Sequence, residues 1–279
     1  MRSRPAPRRS ALDVRLRYYL QAARWMPLIT NWPLVVAAYL GLVDLRAPRV
    51  LRLANGLRFR VAHYVDAWTI LQVLGRNDYG VGRAEDWRVV VDVGANIGAF
   101  SVLAATAAPL ARVYSYEPSA DTCELLTSNL ELNGLASRVV VHQRALAGRP
   151  GPVTLYAPEP SALRSTRVGR AGPGHPTTTV AAVTLAQAFA DNALDRCDFL
   201  KMDCEGAEYE ILAACPADLF TRIDRIALEF HEWGGAHHGQ LVEILERHAF
   251  VVTVIYDDLD HDTGYLFARR AGPGASRGV

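Results

Sequence analysis

The stretch Arg88 to Gly98, R-V-V-V-D-V-G-A-N-I-G, constrains this chain more than any other, and it runs directly into A-F-S-V-L-A-A. Three consecutive valines, an acidic residue, two spaced glycines and an apolar helical pattern describe a buried parallel strand, a tight turn and a helix start. Gly94 and Gly98 free the turn to take unusual backbone angles and to let a ligand approach, while the first turn of the helix offers unpaired N–H groups. Asp92, at the carboxyl end of the strand, supplies a negative charge. A plain structural turn is the competing explanation of the same letters.

Spacing separates the candidate cofactors. Dinucleotide folds use G-x-G-x-x-G with the pyrophosphate on the helix N-terminus. Here D-x-G-x-x-x-G lacks the middle glycine, which leaves a nicotinamide-dependent oxidoreductase as the weaker alternative. An acidic loop repels a diphosphate and suits cationic groups, such as the amino acid and sulfonium of S-adenosylmethionine. Glu117, followed by Pro118, ends the next apolar run (A-R-V-Y-S-Y-E-P), where a carboxylate gripping ribose hydroxyls is expected.

From Arg88 onward strands and helices alternate, which predicts βαβ units and a mostly parallel sheet. Strands are expected at Val89 to Val93, Arg112 to Tyr116 and Val139 to Gln143, with helices from Ile97 to Ala108 and from Ser119 to the Asn133-Gly134 stop. Thr184 is placed to cap a helix through Ala190. Residues 157 to 176, rich in Pro, Gly, Ser and Arg, read as a substrate lid or a segment without structure, with Arg164, Arg167 and Arg170 available to an anionic acceptor. The last two strands, joined through D-D-L-D-H-D-T-G, are expected to form an antiparallel hairpin.

Two further stretches carry chemistry. In C-D-F-L-K-M-D-C-E-G-A-E-Y-E-I-L a strand ends at Asp203, and Lys201, Asp203 and Glu205 point towards the crevice at Gly94. Glu208 and Glu210 are expected only to complement the helix dipole. In I-A-L-E-F-H-E-W, Glu229 and His231 alternate onto one strand face, a pairing that suits general base chemistry. The competing explanation is a divalent metal on Asp203 and neighbouring carboxylates; no metal is assigned. His237, His238 and His261 lie nearby in sequence.

Ahead of the central strand, Asn55-Gly56 signals a two-residue hairpin between Val50–Ala54 and Leu57–Val61. Asp66 is expected to cap a short helix through Leu74, and Asn77 to Gly82 forms a loop able to cover the pocket. Residues 1 to 24 hold seven arginines against Asp13, while the formal net charge of the 279-residue chain is only +1. Trp25 to Val43 follows without a charge, but Pro27, Asn31 and Pro33 interrupt it, so packing on the main domain is favoured over a membrane span. Peripheral membrane contact through residues 1–45 is the sharper alternative, and a non-catalytic membrane-docked module is the rival that goes with it. Arginine outnumbers lysine 29 to 1, which reads as genome composition, and no nucleic-acid partner is expected. Four cysteines without paired metal spacing suit a reduced cytoplasmic protein.

Together, V-V-V-D-V-G-A-N-I-G-A-F-S, Y-S-Y-E-P-S, L-L-T-S-N-L-E-L-N-G, F-L-K-M-D-C-E-G-A-E-Y-E-I-L and A-L-E-F-H-E resemble the FkbM-type S-adenosylmethionine-dependent methyltransferases, over roughly Trp87 to Phe267. The resemblance implies a class I methyltransferase (Rossmann-like) α/β fold: seven mostly parallel strands with the last inserted antiparallel. With the composition of the remainder, this divides the chain into a basic tail (1–24), a helical and hairpin extension (25–86), the methyltransferase domain (87–270) and a C-terminal tail (271–279). The resemblance also implies O-methylation of a small-molecule, sugar or glycolipid hydroxyl. Carried over by position, Asp92, Gly94, Ala95, Asn96, Gly98, Glu117, Pro118 and Ala145 would hold the cofactor. Asp203, Glu205 and His231 would face the acceptor, with His231 as the base.

Overall fold

The computed structural model describes residues 23–43, 49–156, 167–168, 177–257 and 262–271. The basic tail up to residue 22, the side chains of the arginine-rich loop, His261 and the C-terminal tail beyond Ala271 lie outside the described residues.

The chain enters through a 3-10 turn, Met26–Leu28, and helix α1 (Pro33–Tyr39), each with proline in its first turn. These elements do not form one long apolar helix, and among the described residues none is long and apolar enough to cross a membrane. Ile29 is fully buried, and the Asn31 side chain donates to Val50 and accepts from the Arg52 amide, extending the edge of hairpin β1 (Arg49–Arg52) and β2 (Arg58–Val61). The extension packs on the domain, as favoured from sequence, because Ile29, Leu51 and Phe59 share one apolar cluster with Phe100 and Leu126. On the other side of the hairpin, Asn129 and Asn133 stand one turn apart on a helix and use their side-chain amides as a partner strand for the backbone of Arg60 and Arg58. The sequence marks Asn133 only as part of a helix stop and does not mark Asn129, because the pairing spans about seventy residues.

Two local expectations change. The hairpin closes through Leu53 N–H to Leu57 C=O with three residues, Ala54 to Gly56, between them instead of two, and the Asn55 side chain accepts the Leu57 amide. Helix α2 (Tyr64–Ile70) is capped by His63, whose Nδ1 accepts the Val65 amide, not by Asp66. Asp66 sits one turn in and reaches back to the Ala62 and His63 amides, completing a capping box. The helix then widens into a π-helical turn, Leu71–Arg76, ended by Asn77 in the left-handed region.

The core sheet contains β3 (Val89–Val93), β4 (Arg112–Tyr116) and β5 (Val139–His142), linked by α3 (Ala99–Ala107) and α4 (Ala120–Leu132). A separate four-stranded sheet, of which the sequence marks only the extended pattern at Thr177 to Val183, then forms from β6 (Ala145–Leu146), β7 (Gly151–Tyr156), β8 (Arg167–Val168) and β9 (Thr177–Val183). Helix α5 (Leu185–Asp191) starts at Thr184 as expected, with Thr184 and Gln187 in a capping box. The chain returns to the core with β10 (Phe199–Met202), α6 (Glu208–Ala213), α7 (Ala217–Phe220), β11 (Arg225–His231), α8 (His238–Arg247), β12 (Phe250–Tyr256) and β13 (Thr263–Arg270).

The seven core strands stand in the order β12-β13-β11-β10-β3-β4-β5. β13 is antiparallel to both neighbours, while β11, β10, β3, β4 and β5 pair in parallel. This is the class I methyltransferase arrangement implied by the resemblance. Valines 90 and 91 are fully buried, as a strand covered by helices on both faces requires. Strand order reverses between β3 and β10, so the turns after these two strands open a crevice at the carboxyl edge.

Candidate active site

The two turns are locked together by backbone. Gly94 has φ +72, and a Cβ there would stand 1.7 Å from the Asp203 carbonyl oxygen. The space freed by this glycine is thus taken by the β10–α6 turn and not by a ligand, contrary to the expectation from sequence. Gly98 has φ +86, precedes α3 and packs over Leu126. Asn96 also takes a positive φ and turns its own side chain onto the Ile97 amide.

Asp92 lies beneath the turn. It is fully buried, accepts from Ser101 Oγ at 2.6 Å and stands 3.2 Å from the Lys201 ammonium, which also donates to Gly94 C=O at 2.7 Å. Burial opposes the Lys201 charge, yet Asp92 and then Asp203 outweigh it and hold its pKa above the usual lysine value. Asp92 and Lys201 therefore neutralise one another and pin the turn from below. Their register explains the match, since the two residues are direct partners across β3 and β10.

Above the turn, Gly94 and Asn96 share one chamber with Glu117, Pro118, Ala145 and Leu146. Glu117 accepts the Asn96 amide on one oxygen and the Ser119 amide on the other, both at 3.0 Å. Burial, opposed by these two bonds, pushes its pKa up to about 7. A carboxylate fixed this way keeps lone pairs for vicinal hydroxyls, while Pro118, Ala145 and Leu146 present an apolar slot. The donor set fits the ribose and base of an adenosine.

On the other side of Gly94 a cavity of about 220 Å³ holds Asp203, Glu205, Glu229 and His231, together with Ala95, Lys201 and Tyr79. Tyr79, from the loop after the π-helical turn, donates to Asp203 at 2.9 Å, and Tyr265 donates to Asp78 at the same distance. The loop does cover the pocket, and the sequence signal was its N-D-Y-G turn. Asp78, pushed up to about 6 by burial against the pull of Arg76, was missed along with Tyr265 and His63.

His231 is 5 % exposed. Its Nδ1 stands 3.5 Å from Glu208, an ion pair without hydrogen-bond geometry, and its Nε2 lies 3.9 Å from Glu205. Burial opposes a charge on the ring, but Glu208, Glu205 and Glu229 outweigh it and push the pKa up to about 10. In this form the ring already carries the proton that a base would have to accept, a departure from the role expected from sequence. Burial first, then Asp203, drives the Glu229 carboxyl well above the usual range. Glu208 is more than a dipole partner: fully buried, it accepts the Cys204 and Gly206 amides and closes the turn in which Glu205 takes φ +56. His237 and His238 stand apart from this cavity, His237 as cap of α8 and His238 bonded to Glu232 and Tyr256.

Residues 92–252 match the sequence model described as the methyltransferase FkbM domain. The chain is 28% identical over 192 residues to "Methyltransferase sdnD" of Sordaria araneosa, covering 59% of this chain and 74% of that protein. It is 23% identical over 235 residues to "Hexuronic acid methyltransferase AglP" of Haloferax volcanii, covering 81% and 90%. It is also 28% identical over 200 residues to "31-O-demethyl-FK506 methyltransferase FkbM" of Streptomyces tacrolimicus, covering 61% and 75%.

Proposed function

Because this chain belongs to the FkbM methyltransferase domain family, we propose that it methylates a hydroxyl of a sugar, glycolipid or natural-product acceptor with S-adenosylmethionine. The observation that carries this reading is the pair of chambers on either side of Gly94, one holding the Glu117 carboxylate and the other lined by Asp203, Glu205, Glu229 and His231. The names of two relatives, a hexuronic acid methyltransferase and a 31-O-demethyl-FK506 methyltransferase, point to oxygen acceptors. A methyltransferase family leaves the nicotinamide alternative without support.

S-adenosylmethionine would supply an electrophilic methyl on sulfur, to be displaced in line by the acceptor oxygen. Glu117 and Asn96 would hold the nucleoside end, and the acidic cavity would favour the cationic end. Asp203, Glu205 and His231 would grip the acceptor hydroxyl, with His231 donating to its oxygen and the carboxylates drawing off its proton. Most of the rate would come from alignment, since positioning two reactants can supply roughly 7–11 kcal/mol. We also propose peripheral membrane contact through residues 1–45, favoured by the exposure of Trp32, Tyr39, Leu40 and Leu42.

Methyl-labelled S-adenosylmethionine supplied with fractionated cell extract tests the main reading. The label is expected in a sugar, lipid or small-molecule fraction as an alkali-stable methyl ether. Calorimetry showing no S-adenosylmethionine binding would overturn the reading at its first step.

A further inference from the structure

The acceptor cavity contains more ligand chemistry than methyl transfer by alignment requires. Asp203, Glu229 and His231 each bring one donor atom to within 4.8 Å of the other two. Ligands on opposite sides of a small divalent ion with bonds of about 2.1 Å stand roughly 4.2 Å apart, so modest side-chain rotation would bring all three onto one ion. Two carboxylates and a neutral imidazole carry a charge that a divalent cation balances.

Two independent observations separate this group from an ordinary acidic cluster. First, His231 is 5 % exposed and faces the cavity, its buried Nδ1 makes no hydrogen bond among the described residues, and its Nε2 meets only the Glu205 carboxylate at 3.9 Å. Second, Glu229 lines the same cavity and has neither hydrogen bond nor ion pair among the described residues. Lys201 does not serve it, because its ammonium stands against Asp92, Gly94 C=O and, at 4.0 Å, Asp203. Glu208 also stands behind the ring: its carboxylate lies 3.5 Å from Nδ1 and favours a proton there, which leaves Nε2 towards the cavity.

We propose that Asp203, Glu229 and His231 Nε2 form a divalent-cation site at the acceptor end of the pocket. An oxygen-rich set with one imidazole suits Mn²⁺ or Mg²⁺, with the nitrogen favouring Mn²⁺. The ion takes the place of the Nε2 proton, so the ring turns from donor into ligand. Its role in turnover rests on the methyl-transfer reading: the acceptor hydroxyl binds the ion, loses its proton to Glu205, and attacks as the alkoxide while the methyl–sulfur bond breaks. Ion binding itself does not depend on that reading.

Electron paramagnetic resonance of Mn²⁺ added to the EDTA-treated full-length protein tests the site directly. One saturable site is expected, weakened at least about tenfold by Glu229→Gln and by Asp203→Asn, while Glu232→Gln binds Mn²⁺ as the wild type does. Two results overturn the proposal: no saturable Mn²⁺ binding, or binding that both cavity variants leave unchanged. Loss restricted to Glu232→Gln would also overturn it, by moving the ion to the Glu232, His237 and His238 cluster. Saturable Mn²⁺ binding in a protein that binds no S-adenosylmethionine would uphold the site and sink the methyl-transfer reading alone.

Discussion

Glu117 and Lys201 show how single side chains set the chemistry of the crevice. Glu117 is buried among the Asn96 and Ser119 amides, with Asp92 raising its pKa, Lys201 lowering it and the Cys123 thiol bonded to its carbonyl. Ribose hydroxyls need the ionised carboxylate, and the pKa of about 7 belongs to the cofactor-free protein. Affinity for S-adenosylmethionine is therefore expected to fall as pH drops below 7 and to level off above it. Glu117→Gln should flatten this profile and weaken binding roughly 10- to 150-fold at pH 8, the equivalent of about 1.5–3 kcal/mol. Calorimetry across pH checks both, and an unchanged slope in the variant removes Glu117 from the site. Because the native pKa lies above the unfolded one, the same group makes the free protein less stable as pH rises from the ordinary carboxylate range through 7. Lys201 acts on stability. Lys201→Met would strand a fully buried Asp92, at an expected cost of about 3–5 kcal/mol, and adding Asp92→Asn should recover part of it. Urea denaturation reads this, and a loss under about 1 kcal/mol would show that the pair is not what pins the turn.

Among the elements, legibility followed the range of the interactions that make them. The central strands were readable because continuous apolar runs are what a strand buried on both faces needs, and Asp203, Glu229 and His231 converge because they stand at the carboxyl ends of neighbouring strands. The caps of α2 and α8 were not readable, since in both a histidine ring replaces the usual Ser, Thr, Asp or Asn acceptor. The β6–β9 sheet was hidden for another reason: its strands flank the long arginine-rich segment, and their pairing depends on contacts across it. Gly94 was flagged correctly as special but for the wrong contact. Gly56→Ala and Gly94→Ala separate the two demands made of a glycine. Both positions have positive φ, which costs an alanine about 1–2 kcal/mol. Nothing lies within 4 Å of a Cβ at Gly56, whereas at Gly94 it would overlap the Asp203 carbonyl. Gly94→Ala should therefore cost well beyond Gly56→Ala and abolish S-adenosylmethionine binding. Equal thermal shifts in the two variants would show that the turns are not locked as described.

For the molecule as a whole, the extension is part of the core and also exposes a surface of its own. Ile29, Leu51, Phe59 and Ile70 join Phe100 and Leu126 in one apolar cluster, so the extension and the α3–α4 side of the sheet share a core. Outside that cluster, Trp32 is 46%, Tyr39 50%, Leu40 60% and Leu42 74% exposed. Helix α2 connects this surface to the cavity at Gly94: Tyr64 packs edge-on against Tyr39, while His63 and Trp68 line the cavity that holds Asp203 and His231. A lipid-borne acceptor held at a membrane would then meet the pocket on the side the apolar residues face. The seven arginines of residues 1–24 supply the matching charge for an anionic leaflet, worth about 1 kcal/mol for each one near the surface. The full-length protein is expected to co-sediment with anionic vesicles at low salt, to leave them as salt rises, and to ignore neutral vesicles. Trp32→Ala combined with Leu42→Ser should weaken binding to anionic vesicles even at low salt, because apolar insertion and charge act together. Deleting residues 1–22 should remove the salt-sensitive component while S-adenosylmethionine affinity stays unchanged. A full-length protein that stays in the supernatant with anionic vesicles at low salt would end the membrane proposal, and the exposed aromatic face would then need another partner.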